Sequence, residues 1–348
     1  MALSEVPGPP GAPWGGELHG RLKQLTVRSE VLATNPLGDP VERPLYVYLP
    51  PGDWDHVPSI YLIQGMTGQL DMWFNRNPFE RTVIERIDDL FATPGVPPAI
   101  VVCVDAWTSY GGSQFINSAG TGRYMDYLCD EVVPFVDERY PTLGDRANRG
   151  ITGKSSGGYG AMVVPMLRPD VFGALASHAG DALFEACYLK DFPETARVLR
   201  DRFDGSYDVF FEKLRAAERL EYHLHGAALN TYAMAACYSP DEESPGKARL
   251  PFDIETGRLI DEVWAEWLAW DPVRMAPKHA DALESMSVIY LDAGRSDEYF
   301  LDLGAQAFAK ELDHIGVKYT LELFDGKHGG IAYRYPLALQ ALAENLQP

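Results

Sequence analysis

Short apolar runs alternate along this chain with segments in which apolar residues recur every three or four positions. Runs rich in β-branched and aromatic side chains predict β-strands, and the 3.6-residue period predicts helices. Strands that follow one another through crossover helices form a mostly parallel sheet. The first two predicted strands resemble a hairpin. The predicted strands lie at residues 22–29, 44–50, 60–63, 99–104, 149–152, 174–177, 287–291 and 318–323.

Apolar helical faces appear between and after these strands. Each face repeats at the spacing of an amphipathic helix that covers a sheet. We therefore predict an α/β fold with a mostly parallel central sheet flanked by helices. The clearest faces contain Tyr124, Leu128, Val132 and Phe135, then Leu301, Ala305, Phe308 and Leu312, and finally Tyr335, Leu339, Leu342 and Leu346.

Residues 181–276 interrupt this alternation with helical patterns alone. We predict a lid-like helical insertion there, after the sixth strand, within a core made of residues 17–180 and 277–348. Residues 1–16 are rich in Pro and Gly and lack periodicity, which predicts a flexible lead-in. Three tryptophans of the insertion either pack internally or line an apolar substrate wall, and packing is favoured. These are Trp264, Trp267 and Trp270.

Composition and net charge restrict the classes of molecule that we expect this protein to bind. The chain has 348 residues, 46% of them hydrophobic, and a formal net charge of −20. That charge repels phosphate backbones and anionic membrane surfaces, so we expect neither nucleic acid nor membrane as a partner. The four cysteines are widely spaced, which favours buried free thiols over a zinc or redox motif. A signal-peptide pattern and a membrane-length apolar run are both lacking, so a cytoplasmic location is expected.

The sharpest chemical signal is a G-x-S-x-G motif at residues 153–157. It follows a predicted strand and precedes a predicted helix, which is the setting of a nucleophile elbow. There the flanking glycines allow a tight turn that exposes the serine oxygen. Ser155 is therefore the candidate nucleophile, and a helix N-cap serine is the alternative.

A serine nucleophile needs a base, which in this architecture lies later in the chain. His328 follows the last predicted strand in a glycine-rich loop and is the candidate. His314 ends an amphipathic helix, where a solvated histidine is ordinary. His223 and His225 fall in the insertion, and a zinc site there lacks a third ligand of fitting spacing.

The acid that orients the base is expected in the loop after the preceding strand, at residues 292–298. Asp297 is the candidate, and Glu298 is its competitor. The oxyanion of an acyl-transfer intermediate needs two N–H donors, one from the residue after the nucleophile and one from an early strand's loop. Ser156 and Met66 are the candidates for these backbone amides, although an ordinary glycine-rich turn would also contain Met66.

With these residues the chain resembles the putative esterase family of the α/β-hydrolase superfamily, which includes S-formylglutathione hydrolases, enterochelin esterases, feruloyl esterases and mycolyltransferases. The resemblance runs through residues 47–52, 63–68, 122–128, 153–158, 294–297 and His328. It implies an α/β-hydrolase fold with Ser155, Asp297 and His328 as the catalytic triad. It also implies that the Met66 amide contributes to the oxyanion hole.

Two residues depart from the pattern of that family. Gln64 stands where many members have histidine, and Lys154 is an unusual neighbour for the nucleophile. Lys154 is either an ordinary surface lysine or a source of positive potential toward an acidic substrate.

These observations predict a serine hydrolase that cleaves a small-molecule carboxylic ester through an acyl-enzyme. An acyltransferase would use the same intermediate, and a non-catalytic binding protein of this fold is the alternative from another class. The sequence implies no cofactor and no metal, and a homo-oligomer stays open.

Overall fold

The computed structural model describes residues 17–75, 79–219 and 221–346. The predicted lead-in, residues 1–16, lies outside the described residues.

The main sheet has eight strands in the order β1-β2-β4-β3-β7-β8-β9-β10. The pairs β1–β2 and β2–β4 are antiparallel, and the other neighbouring pairs are parallel. The prediction of a mostly parallel sheet that begins with an antiparallel pair is confirmed. The strands are β1 (Arg21–Arg28), β2 (Glu42–Leu49), β3 (Ser59–Ile63), β4 (Ile100–Val104), the small hairpin β5 (Asn117–Ser118) and β6 (Gly122–Arg123), β7 (Arg149–Lys154), β8 (Ala174–His178), β9 (Ile289–Gly294) and β10 (Thr320–Phe324).

Helices flank the sheet on both faces, and short 3₁₀ turns occur at Leu70–Phe74, Arg146–Asn148, Leu189–Asp191, Ala276–His279 and Ala332–Arg334. The α-helices are α1 (Val83–Phe91), α2 (Tyr124–Asp126), α3 (Val133–Asp137), α4 (Ser156–Leu167), α5 (Phe184–Cys187), α6 (Phe192–Arg202), α7 (Tyr207–Ala216), α8 (Tyr222–Tyr238), α9 (Asp261–Ala269), α10 (Pro272–Met275), α11 (Ala280–Glu284), α12 (Leu301–His314) and α13 (Tyr335–Asn345).

The helix predicted around residues 124–135 is present but is not regular. A π-helical segment, Tyr127–Val132, joins α2 to α3. Pro134 lies just after that segment and has no N–H to donate to the preceding turn. The missing donor agrees with a local departure from the 3.6-residue period.

The parallel strands are covered on both faces, and successive side chains of a strand pack in two different hydrophobic cores. In β3, Tyr61 packs in the core on one face and Leu62 packs in the core on the other face. The second core also contains apolar residues of α1 and α13. All residues of β3 and β4 are buried, which explains their continuous apolar sequences.

Residues 181–276 follow β8, the sixth strand of the main sheet, and contain α5 to α10. Trp267 is fully buried and donates a hydrogen bond to Ser239 Oγ at 2.8 Å. The rings of Trp264 and Trp267 lie 5.6 and 5.5 Å from that of Phe192. Packing of these two tryptophans is therefore confirmed, and Trp270 is only partly buried.

All four cysteines are buried free thiols, as predicted. Among the described residues, the structure contains no helix that is both long and apolar enough to cross a bilayer.

Candidate active site

Ser155 lies at the turn between β7 and α4 in a strained backbone conformation. Its φ is 59° and its ψ is −127°, a combination that L residues rarely adopt outside functional turns. Its N–H donates to the carbonyl oxygen of His178 at 3.0 Å, and its own carbonyl oxygen accepts from the Tyr159 N–H at 2.8 Å. These bonds hold the turn, and Ser155 stays partly exposed at the carboxyl edge of the sheet.

Glycines make this turn sterically feasible. A Cβ on Gly157 would lie 2.4 Å from the carbonyl oxygen of Ile63, and one on Gly153 would lie 2.6 Å from the same atom. On the facing loop, a Cβ on Gly65 would lie 2.9 Å from the carbonyl oxygen of Lys154. The start of α4 therefore lies against the end of β3 at a distance that side chains would prevent.

His328 and Asp297 form a hydrogen-bonded pair. His328 Nδ1 lies 2.8 Å from Asp297 Oδ2, and the Asp297 side chain is fully buried. The other oxygen of Asp297 accepts from the Tyr299 N–H at 2.8 Å. The loops after β9 and β10 are joined by a hydrogen bond from the Ser296 N–H to the Gly326 carbonyl oxygen at 2.9 Å. The two loops thereby bring acid and imidazole together.

Glu298 contacts the main chain of His328 instead of its ring. Its carboxylate accepts from the His328 N–H at 3.0 Å and pairs with Lys327 at 3.4 Å. These contacts, the backbone hydrogen bond first, lower the pKa of Glu298 despite some desolvation. Of the two carboxylates left open by the sequence, Asp297 is the one that contacts the imidazole.

Asp181 connects the surroundings of Ser155 to those of His328. Among the described residues, no hydrogen bond joins Ser155 to His328. Ser156 Oγ donates to Asp181 Oδ2 at 3.3 Å. Burial raises the pKa of Asp181, while its hydrogen bonds and the nearby charge of His328 act in the opposite direction. His328 is thus within electrostatic range of Asp181, whose carboxylate accepts the hydrogen bond from Ser156, the residue next to Ser155.

Two amides suitable for an oxyanion lie beside the turn. Ser156 is the first residue of α4, so its N–H has no acceptor within the helix. Within the described chain, the Met66 N–H donates no backbone hydrogen bond, whereas its neighbour Thr67 donates to the Gly111 carbonyl oxygen at 2.7 Å. Gln64 faces away toward the loop after β4. In the amide orientation that satisfies both of its groups, it accepts from the N–H groups of Ala106 and Trp107 at 2.8 and 3.1 Å.

Sequence reasoning missed a buried polar cluster next to the turn. Gln114 Nε2 donates to Asp181 Oδ2 at 3.1 Å and to the Tyr238 hydroxyl at 2.7 Å. The Tyr188 hydroxyl donates to the same Asp181 oxygen at 2.9 Å. Asp181 could have been found from its position, because it follows β8, and ligands bind beyond the carboxyl ends of such strands.

Sequence reasoning also missed a hydrogen-bonded group of three side chains in the sheet beneath the turn. His178 Nδ1 is 2.7 Å from Asp292 Oδ1, and Asp292 Oδ2 accepts from Arg334 Nε at 2.8 Å. All three side chains are buried. Because the carbonyl oxygen of His178 accepts the Ser155 N–H, this network lies one hydrogen bond away from the candidate nucleophile.

A resident metal ion needs several ligand side chains grouped together. Throughout the part of the chain that the structure describes, no three His, Cys, Asp or Glu side chains are grouped to hold a metal ion.

Comparisons with known proteins identify the family of the chain. Residues 40–338 match the family described as Putative esterase. A curated protein of Xylanibacter ruminicola named endo-1,4-β-xylanase/feruloyl esterase is 26% identical over 162 residues, which is 44% of this chain and 21% of that protein. The chain spans a third or less of the length of the curated relatives it matches.

Solved structures share the fold. A ferulic acid esterase has a TM-score of 0.58 at 18% identity, with coverage of 93% of this chain and 98% of that one. An S-formylglutathione hydrolase from Agrobacterium tumefaciens has a TM-score of 0.58 at 15% identity, with coverage of 96% and 98%. Because these identities are low, the structures support the fold alone, which is that of the α/β-hydrolases. The family match over most of the chain shows that this chain belongs to the putative esterase family.

Proposed function

We propose that this protein is a serine carboxylic-ester hydrolase in which Ser155 is the nucleophile, His328 the general base and Asp297 the residue that orients the base. The observation that carries the proposal is the 2.8 Å contact between His328 Nδ1 and the fully buried Asp297, at the sheet edge where the strained turn presents Ser155.

The Asp297 contact determines which nitrogen of the imidazole is available. A carboxylate at Nδ1 holds the proton there, so Nε2 is free to accept the proton of the Ser155 hydroxyl. As that proton moves, the imidazole becomes positively charged, and Asp297 stabilises the charge in a buried setting. Apo structures commonly lack a short nucleophile-to-base contact, which forms in the substrate complex.

The reaction then has two halves. Ser155 Oγ attacks the ester carbonyl carbon, and the N–H groups of Met66 and Ser156 stabilise the oxyanion. The C–O bond to the alcohol breaks, His328 protonates the departing oxygen, and an acyl-enzyme remains on Ser155. Water, deprotonated by His328, attacks this intermediate and releases the carboxylic acid and the serine hydroxyl.

Turnover of short-chain p-nitrophenyl esters by the wild-type protein and by Ser155→Ala tests the proposal. We expect the alanine variant to lose about 10³-fold or more in kcat, because it lacks the nucleophile. Ser285→Ala, which alters an exposed serine outside the site, is the matched control and should keep wild-type turnover. Equal turnover by Ser155→Ala and the wild type would refute the proposal.

Hydrolysis and acyl transfer share the acyl-enzyme and differ in what attacks it. Product analysis with a competing alcohol separates them. Free acid as the product supports hydrolysis, and a new ester of the added alcohol identifies a transferase.

A further inference from the structure

Lys154 is a basic residue at the edge of the candidate site. It is the last residue of β7 and directly precedes Ser155, and its side chain is only partly exposed. Across the described residues, its ammonium group forms no hydrogen bond and no ion pair. Burial lowers the pKa of Lys154, and the charges of Asp297, Glu298 and Asp181 oppose that shift. A partly desolvated ammonium without a partner is costly unless it acquires one.

The carboxylates near Lys154 are already bound by other groups. Asp297 accepts from the His328 ring and from the Tyr299 N–H. Glu298 accepts from the His328 N–H. One oxygen of Asp181 receives hydrogen bonds from Gln114, Tyr188 and Ser156. Their charges favour the protonated form of Lys154 without providing it with a direct partner.

Further cations lie on the His328 side of the site. Lys190 is placed 5.1 Å from the centre of the Tyr299 ring, which itself lies 4.8 Å from the His328 ring. Lys327 adjoins His328, and Arg295 is exposed in the loop that contains Asp297. Lys190 pairs with Asp191 at 2.7 Å and Lys327 pairs with Glu298 at 3.4 Å, so these two cations already have partners, unlike Lys154.

We propose that Lys154 is a specificity-determining residue that binds a carboxylate in the alcohol part of the ester. The inference rests on the proposed hydrolase function. The alcohol part is assigned because His328 must protonate the departing oxygen, and Lys154 lies within electrostatic range of Asp297, which binds the His328 ring. Because the net charge of the protein repels anions at long range, a local cation is needed to favour an anionic substrate.

Two esters that differ in one charge test this inference. The acetyl ester of 3-hydroxybenzoate has an anionic alcohol part, and the acetyl ester of methyl 3-hydroxybenzoate has a neutral one. Each is hydrolysed to acetate and the corresponding phenol, and acetate release gives kcat/KM. The ratio of the two kcat/KM values measures selectivity for the carboxylate and is insensitive to the amount of folded protein.

We expect Lys154→Met to lower this ratio about tenfold, because the ion pair with the carboxylate is lost. Lys154→Arg keeps the charge and should preserve most of the ratio. Lys310→Met removes an exposed lysine of α12 and controls for net charge. An unchanged ratio in Lys154→Met, or an equal fall in Lys310→Met, would overturn the inference.

A binding experiment separates failure of this inference from failure of the proposed function. A wild-type protein that hydrolyses neither ester would contradict the proposed activity on these substrates. In that case 3-hydroxybenzoate should still slow the labelling of Ser155 by a fluorophosphonate in the wild type, and much less in Lys154→Met. Equal protection in both proteins, or protection in neither, would overturn the role of Lys154.

Discussion

Asp297 and Glu298 are adjacent in the chain but contact different parts of His328. Asp297 binds the imidazole and Glu298 binds the main-chain N–H. Only the first contact can fix the tautomer of the ring and stabilise its positive charge. The second holds the loop in place, together with the ion pair between Glu298 and Lys327.

This difference predicts unequal effects of two matched substitutions. Asp297→Asn should lower kcat about 10³- to 10⁴-fold, because an amide in place of the carboxylate favours the wrong imidazole tautomer. Glu298→Gln keeps an oxygen for the His328 N–H and should lower kcat less than about tenfold. Steady-state kinetics on one p-nitrophenyl ester would measure both effects. A larger loss in Glu298→Gln than in Asp297→Asn would contradict this assignment of roles.

The sequence could place both carboxylates in one loop, but it could not choose between their contacts. The direction of the Asp297 side chain depends on hydrogen bonds from the Tyr299 N–H to its carboxylate and from its own N–H to the Gly294 carbonyl oxygen. Those bonds exist only in the folded loop. The unpartnered state of Lys154 was equally inaccessible, because it depends on which groups already bind the carboxylates nearby.

At the scale of elements, neighbouring strands align a row of ionisable residues. The register pairs Lys154 of β7 with His178 of β8, His178 with Asp292 of β9, and Asp292 with Glu322 of β10. Arg334, six residues after His328, binds Asp292 at 2.8 Å and adds a second basic partner to this carboxylate. The network thus joins the strand that holds the Ser155 N–H to the segment that ends the His328 loop.

Asp292→Asn should destabilise the fold by about 3 kcal/mol, because it removes the negative charge between two buried basic side chains. Urea unfolding would measure the loss as a lower midpoint. The exposed Asp325, outside this network, provides the matched control, and Asp325→Asn should change the free energy of unfolding by less than about 0.5 kcal/mol. Similar midpoints for both variants would show that the network contributes little to stability.

The main strands could be predicted from the sequence, because strands covered on both faces have continuous apolar runs. The register between them could not, since apolar runs do not specify which residues lie side by side. His178 and Asp292 are 114 positions apart, and only the order and alignment of β8 and β9 bring them together. The hairpin of β5 and β6 was missed because two-residue strands carry no periodic signal.

At the scale of the whole molecule, a buried ion pair near the antiparallel edge of the sheet makes the free energy of unfolding depend on pH. Arg43 of β2 lies 3.1 Å from Asp105, which follows β4, and both side chains are almost fully buried. Burial raises the pKa of Asp105 from 3.8 to about 6, although the charge of Arg43 opposes the shift. The folded protein therefore binds this proton more tightly than the unfolded chain does.

This difference in proton affinity between the folded and unfolded chains decides how stability changes with pH. Asp105 favours folding most below pH 3.8, and this contribution is lost as the pH rises to about 6. The full difference corresponds to about 3 kcal/mol. Asp105→Asn cannot titrate, so the free energy of unfolding of the wild type minus that of the variant should fall by about 2 kcal/mol between pH 4 and pH 7. Urea unfolding of both proteins across this range measures the difference. A constant or rising value would mean that Asp105 is ionised throughout and that Arg43 outweighs the cost of burial.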